Sequence, residues 1–381
     1  MRRHRAARAT MTTPPPPQLP HPSPQDQVDD LTQEILLRIP PYKPKLLVRC
    51  SAVCKPWRLL LTDPAFLRRY RAFHRVPPML GFLFNLDLSR DCFGARFVRT
   101  TPFRPRTLDH GYWYARDSRH GRVLFRNLNC DPDLVVWNPI TDERWGLPLP
   151  VASYTYWDAT VLCAAAAREG SGECDHLDCH GGPFLVAFVG TNDEDGITCA
   201  CVYSSETAAW SDATVAEHPE DLAEMDMKPA ALVGNTIYCL AAQNKTIVEY
   251  DLGSRQLAFI DPPFAYEDRG VLMPAAGGGL GFAGVKGSCL YLLSREVIPD
   301  RSAAWTQRRV IELNTLPTGD PFYPHTVVGF AAGLGVIFVT TDAGVFAINL
   351  NSCIAKKVSN RGSIDTVIPY ISFYTPDHAT G

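Results

Sequence analysis

The sequence predicts a chain in two unlike regions: a small all-α module over residues 26–76, then an all-β domain over 77–381, read as a β-propeller of about six irregular blades. Three observations predict this. Helical hydrophobic periodicity is confined to residues 28–75. From Leu80 onward the apolar runs are short, many alternate with period two, and Gly, Asn, Asp and Pro separate them. Within that β-rich region, pairs of hairpins recur at a spacing of about 45–50 residues.

In chain order, residues 1–25 begin with Arg2, Arg3, Arg5 and Arg8 and continue as TTPPPPQLPHPSP. A proline run of this kind is semi-extended and does not pack, so a disordered tail is expected. The Arg-rich, acid-free start also fits an organelle transit peptide, which its shortness and proline content count against.

The helical module starts after this tail. At about 100° per residue, Val28, Leu31, Ile35, Leu36 and Ile39 share one apolar arc, while Leu37 falls outside it. Asp30 with Gln33 has capping-box spacing, and Pro40-Pro41 stops the helix. Around Trp57 the problem repeats: Cys50, Val53, Cys54, Trp57, Leu60 and Leu61 form one face and Leu59 points away. Pro56 is early enough in its helix to be tolerated, and Asp63-Pro64 supplies an N-cap and a first-turn proline for a helix over 65–73. About 50 residues seldom bury enough apolar surface to stand alone, so the surplus faces point to a covering partner or to the rest of the chain.

The β-rich region repeats a phrase of strand, polar turn, strand: LVVWNPITDERWGLP, CVYSSETAAWSDA, IVEYDLGSRQLAFIDPP and VFAINLNSCIAKKVS. Upstream of the last two lies a second hairpin with glycine at its turn, ALVGNTIYCLA and GFAAGLGVIFV, and GFAGVKGSCLYLLS is similar. Two hairpins per unit make a four-stranded blade, and each blade needs neighbours to bury its faces. One or two β-sandwiches are the alternative architecture. Residues 168–183 read as an inserted loop.

Composition bounds the function. Apolar content of 46% and charged content of 20% are ordinary for a globular protein. The net charge of −3 hides an asymmetry: residues 1–75 hold fourteen Lys and Arg against five acids, about +9, which leaves about −12 for the remainder. Between Lys43 and Arg75 the bases alternate with apolar residues, which suits an acidic protein partner better than nucleic acid. The twelve cysteines are scattered and no secretory signal precedes them, so reduced thiols inside the cell are expected. The longest uncharged apolar stretch, 326–341, carries a Gly-Leu-Gly turn and is too short for a membrane span.

DDLTQEILLRIPP followed by LLVRCSAVCKPWRLLLTDPAFL resembles the F-box motif, in the order helix, Pro-Pro, helix, VCKxWR, helix, DPxF. The match covers about 40 residues and holds several fixed spacings. One departure is that the family usually opens with Leu-Pro before the acidic pair, where this chain has Gln27-Val28. VVWNPITDERWGLPLP resembles the associated domain that follows the F-box in many plant proteins. The resemblance implies a non-catalytic substrate receptor of a Skp–cullin–F-box ubiquitin ligase. Such a receptor docks on the acidic Skp-type adaptor, reaches the cullin-RING ligase through it, and presents a target protein on the propeller, in the cytoplasm or nucleus. Carried over by position, the adaptor-facing residues are Leu31, Ile35, Pro40, Leu46, Leu47, Val53, Cys54 and Trp57. Competing readings are a propeller scaffold that does not bind the adaptor, and a propeller enzyme with chemistry in its central channel.

Little else in the sequence carries chemistry. Cys174-Asp-His176-Leu-Asp-Cys179-His180 is the one metal-like cluster, a donor set that zinc takes tetrahedrally. Its four donors crowd into seven residues without paired spacing and lie in Gly-rich loop sequence. The segment therefore reads as a solvated loop, with no metal or cofactor expected. Gly279-Leu-Gly281-Phe-Ala-Gly284 has dinucleotide-fingerprint spacing but is followed by strand-like CLYLLS rather than a helix. Cys199 and Cys201 read as packing on one strand face, Asn244-Lys-Thr246 as a sequon without meaning inside the cell, and Glu194-Asp195 as a solvated turn. Trp157, Trp210 and Trp305 are candidate target anchors and, more simply, blade-packing aromatics.

Overall fold

The computed structural model describes residues 24–89, 92–129, 131–150, 154, 156–167, 174–192, 196–217, 225, 228–241, 246–263, 270–296, 303–318, 324–361 and 364–376. Residues 1–23 of the Arg/Pro-rich tail, Glu194-Asp195 and Asn244 lie outside the described residues, and residues 24–25, expected to belong to the tail, are helical. One compact unit ends at Ile39 and a second runs from Pro40 to Gly381.

The β domain is a six-bladed propeller. Blade 1 takes strands Met79–Ser89, Cys92–Arg99 and Asp109–Gly111, and Val367–Ile371 from the C-terminal end of the chain completes it. Blade 2 is Trp113–Arg119, Arg122–Asn127, Leu134–Trp137 and Arg144–Leu147. Blade 3 is Tyr156–Cys163, Phe184–Asn192 and Ile197–Ser204, whose outer edge pairs with both Ala209–Trp210 and Thr214–Glu217. Blade 4 is Ala231–Val233, Thr236–Ala241, Thr246–Asp251 and Gln256–Ile260. Blade 5 is Gly270–Pro274, Leu280–Lys286, Cys289–Glu296 and Ala304–Glu312. Blade 6 is Thr326–Ala331, Val336–Thr341, Gly344–Asn349 and Ala355–Ser359.

The recurring polar turn of the sequence is one structure repeated between third and fourth strands. Asn138 Oδ1 accepts from the backbone N–H groups of Ile140 and Thr141, and Asp142 then takes a positive φ of 65°. Asp251 does the same for Gly253 and Ser254 ahead of Arg255, and Asn349 for Asn351 and Ser352 ahead of Cys353. Ser204 gives blade 3 a weaker version through Glu206 ahead of Ala208. A short side chain that hydrogen-bonds its own backbone two and three residues on is what reverses the chain. GFAGVKGSCLYLLS differs from its expected equivalents: it is the second-to-third hairpin of blade 5, not the first-to-second.

The core sits between blades, not within them. Side chains alternate across each strand, so every blade has two apolar faces and needs two neighbours. Six clusters fill the six gaps: around Trp137 and Phe97 between blades 1 and 2, Phe188 and Val136 between 2 and 3, Tyr250 and Leu162 between 3 and 4, Phe282 and Leu240 between 4 and 5, Val285 and Phe346 between 5 and 6, and Phe338 and Phe82 between 6 and 1. The ring closes where Val367–Ile371 pairs antiparallel with Met79–Ser89, in register from Phe84↔Val367 to Gly81↔Tyr370, with a shift before the last pair, Met79↔Ile371. Here Gly329 of blade 6 comes so close that a Cβ would overlap the carbonyl oxygen of Val367, which is why no larger residue fits.

The helices are α1 (Pro24–Leu37), α2 (Pro44–Ser51), α3 (Lys55–Leu61) and α4 (Pro64–His74). Asp63 caps α4 as expected, accepting from Phe66 N–H at 2.9 Å. Helix α1 begins at Pro24, ahead of the expected Asp30 box, so Asp30 lies inside it and caps nothing. The expected continuous face from Cys50 to Leu61 is also corrected. Pro56 would collide with the carbonyl of Ala52 in an unbroken helix, so α2 stops at Ser51 and Cys54 adopts extended backbone before α3 starts. In the second unit α4 lies against the propeller: Tyr70, buried, meets Phe373 edge-on with ring centroids 6.1 Å apart. No described helix is long and apolar enough to cross a membrane.

Candidate functional site

Of the eight positions expected to face an adaptor, the structure leaves seven at least partly open to solvent. On α1, Leu31 and Ile35 are one turn apart and 63% and 64% exposed. Leu36, Leu37 and Ile39 are the buried residues there, so the predicted stripe divides: Leu31 and Ile35 are not in the covered set and Leu37 is. Periodicity finds apolar residues without saying which of two apolar faces is covered. The side chain of Val28 lies outside the described residues. In the second unit Val53, Cys54 and Leu46 are exposed, Val53 to 65%, while Trp57 is half-buried, as is Pro40. Leu47 corrects the expectation. At 2% exposure it packs inward from α2 together with Pro44, three residues away on the same face. Leu59, assigned to no role by position, is 58% exposed.

The bases of this region are mostly at the surface: Lys43, Lys45, Arg49, Lys55, Arg58, Arg68, Arg69 and Arg75 are all at least partly exposed. Arg71 is the exception. It is buried and pairs with Asp178 of the propeller at 2.6 Å.

At one end of the propeller's inner strands lies a cavity of about 370 Å³, lined among others by Asp117, Arg119, His120, His176, Phe330 and Ile368. Its acids and bases are already committed. Asp117 accepts from Arg119 at 3.1 Å, from Thr160 Oγ1 at 3.0 Å and from the backbone N–H of Val161 at 3.1 Å. Arg119 also donates to the carbonyl of Ala230. Alongside, Arg116 pairs with Asp158 at 3.1 Å with both side chains buried, and donates to the Trp157 carbonyl. These links tie blade 2 to blades 3 and 4. His120 accepts the backbone N–H of Cys163 on Nδ1 at 2.9 Å, and burial, with the charges of His176, Arg119 and Arg122, pulls its pKa down to about 3.

The third feature is a sulfur-rich cluster. The donor atoms of Cys163, Cys174, His176 and Cys179 all lie within 4.8 Å of one another. Cys163 Sγ is 3.9 Å from Cys174 Sγ, Cys174 Sγ is 3.2 Å from Cys179 Sγ, and Cys179 Sγ is 3.5 Å from His176 Nδ1. The structure thus brings together three of the four donors picked from sequence and replaces the fourth. His180 turns away to Asp178, with Nδ1 3.2 Å from its carboxylate, and Cys163, the last residue of the first strand of blade 3, takes the open place. Nothing in local spacing signals Cys163, which is eleven residues from the nearest partner.

The segment is not the solvated loop expected. Cys179 and His180 are buried, because blade 2 reaches over to hold the loop backbone. Arg122 donates to the carbonyls of Cys179, at 2.7 Å, and Gly182, and Asn138 donates to that of His180. The ring of His120 stacks on His176 with centroids 4.4 Å apart. Within the cluster the Cys163 thiol is pulled down to about 5, chiefly by its hydrogen bond with Cys179, and the Cys179 thiol is pushed up by the same bond and by burial.

The tryptophans pack blades. Trp157 is buried between blades 2 and 3, Trp210 donates to the Pro148 carbonyl beside Tyr203, and Trp305 donates to that of Asp261 beside Phe282. Gly281 and Gly284 belong to a strand paired on both sides, with no helix after it. Cys199 and Cys201 are buried in one interblade cluster.

No protein-family model matches this sequence, and no curated protein matches it. Solved structures similar to it include the extracellular domain of the one component system BT4673 from B. thetaiotaomicron, at 12% identity and TM-score 0.32, over 65% of this chain and 28% of that one. A protein from Lactobacillus plantarum is similar at 11% identity and TM-score 0.41, over 76% of this chain and 98% of that one. Dipeptidyl peptidase 4 of Porphyromonas gingivalis is similar at 13% identity and TM-score 0.32, over 73% and 44%. This chain spans less than a third of the length of the BT4673 domain. With every TM-score below 0.5, these likenesses carry nothing about what the chain binds or does.

Proposed function

We propose that this chain is the substrate receptor of a Skp–cullin–F-box ubiquitin ligase, its helices docking on the acidic adaptor and its propeller presenting a target for modification by a separate enzyme. The reading rests on the F-box resemblance of residues 29–67. One observation carries it further: in a protein whose blades cover nearly all their large apolar side chains, Leu31, Ile35, Leu46, Val53 and Leu59 stay 40–65% exposed. Large apolar side chains left open in each unit suit binding, and each such side chain moved into an interface contributes about 1.5–3 kcal/mol. The exposed bases among them match an acidic partner and speed its approach. The ligase reading assigns the chain proximity rather than chemistry.

The test is complex formation by size-exclusion chromatography with a Skp-type adaptor. A one-to-one complex is expected. A correctly folded chain that elutes separately from the adaptor at micromolar concentration would leave a propeller scaffold in its place.

A further inference from the structure

We propose that Cys163, Cys174, His176 and Cys179 bind one zinc ion, and that this ion fixes the loop on which α4 docks. A tetrahedral zinc with arms of about 2.3 Å to sulfur and about 2.0 Å to nitrogen sets neighbouring sulfurs about 3.8 Å apart and sulfur to nitrogen about 3.5 Å apart. Three of the six donor separations, 3.9, 3.2 and 3.5 Å, lie close to those edges, and none of the six exceeds 4.8 Å. Three thiolates and one imidazole select zinc over harder ions, and a full set of four protein donors leaves no open position for substrate. The site is therefore structural rather than catalytic, even though His176 also lines the cavity.

The surroundings are those of a held ligand set. Arg122 carries positive charge beside Cys163 and Cys179, which offsets the net negative charge of three thiolates on a divalent ion. It also donates to the carbonyls of Cys179 and Gly182, so it sets the loop's path. His120 stacks on His176 and fixes the backbone of Cys163. Asp178 sits between ligands His176 and Cys179 and pairs with buried Arg71 of α4, so an ion that orders the loop also orders the partner of a buried charge. The zinc thereby ties the last helix to blades 2 and 3.

The test uses the full chain purified under reducing conditions with zinc, followed by elemental analysis and by replacement with cobalt. One zinc per chain is expected, with the intense visible bands of tetrahedral cobalt–thiolate on exchange. Cys163→Ser should lose the metal, whereas His180→Gln should keep it, and this pair separates the folded cluster from the four donors adjacent in sequence. Should Cys163→Ser fail to fold, stripping the unaltered chain with a chelator should lower Tm by several degrees, and zinc should restore it. A folded, reduced chain without metal overturns the proposal. So does a metal that survives Cys163→Ser, or mass spectrometry showing a Cys174–Cys179 disulfide in place of bound zinc.

Discussion

The blades and the helices treat apolar surface in opposite ways. Between blades, Trp137, Phe125, Phe188, Phe282 and Phe338 are all under 2% exposed, and each of the six gaps has its own cluster. On the helices, large apolar side chains are left out: Leu31, Ile35, Val53 and Leu59 are each more than half exposed. A propeller closes on itself, with a strand from the end of the chain filling the last edge, so its interblade faces are covered and apolar side chains such as Val215 and Ile354 stay open only at its outer strands and turns. Helices of seven to fourteen residues cannot do this. The difference teaches which large apolar side chains the fold itself does not need to cover.

If the contrast is right, truncation should be costly in the blades and nearly silent on the helices' open faces. The largest effect is expected at Trp137→Ala, which empties a site between blades 1 and 2 and strands its hydrogen bond to Asp142; a loss of about 3–5 kcal/mol in chemical denaturation is predicted. A loss under about 1 kcal/mol would mean the blades are looser than described.

Adjacent leucines on α2 sharpen the point. Leu47→Ala should cost about 2–4 kcal/mol, as an ordinary core truncation, and Leu46→Ala less than about 0.5 kcal/mol. Equal effects at the two would erase the distinction between covered and open faces.

A pH series isolates one blade contact. His110 is buried among Trp113, Phe125 and Trp137, and burial, aided by Arg144, lowers its pKa to about 4. Between about 6.5 and about 4 the unfolded chain takes up a proton that the folded one refuses, so stability falls as pH drops through that window, by up to about 3 kcal/mol. Above about 6.5 this group has no effect. His110→Phe should flatten that stretch of the profile, and an unchanged slope would show that other groups set it. Val53→Ala and Leu59→Ala, at the small end, should shift stability by less than about 0.5 kcal/mol.

What could be read from sequence divides along physical lines. Features set by neighbours in the chain were legible: Asp63 as a cap, the recurring polar turns that prove to be formed by Asn138, Asp251 and Asn349, Pro40-Pro41 as a stop, and the hairpins that amount to six blades. Features set by distant contacts were not. Leu36 and Leu37 cannot be told from Leu31 and Ile35 until something covers one pair. Arg71 looks like one more base in a basic run, yet Asp178 removes it from the surface. Cys163 joins the cysteine–histidine cluster only because a blade strand ends there, and His180 leaves it only because Asp178 holds its ring. The strand Val367–Ile371 shows no mark in sequence of its partner almost three hundred residues earlier.

The central claim is that the open helical faces serve binding and not folding, so one paired measurement tests it most directly: adaptor affinity by calorimetry and Tm by scanning calorimetry, on the same Val53→Asp and Trp57→Ala variants of the full chain. The account predicts binding weakened at least about tenfold, or about 1.4 kcal/mol, with Tm within a degree or two of the unaltered protein for Val53→Asp. Affinity unchanged in both variants, beside a collapse in Tm, would contradict it.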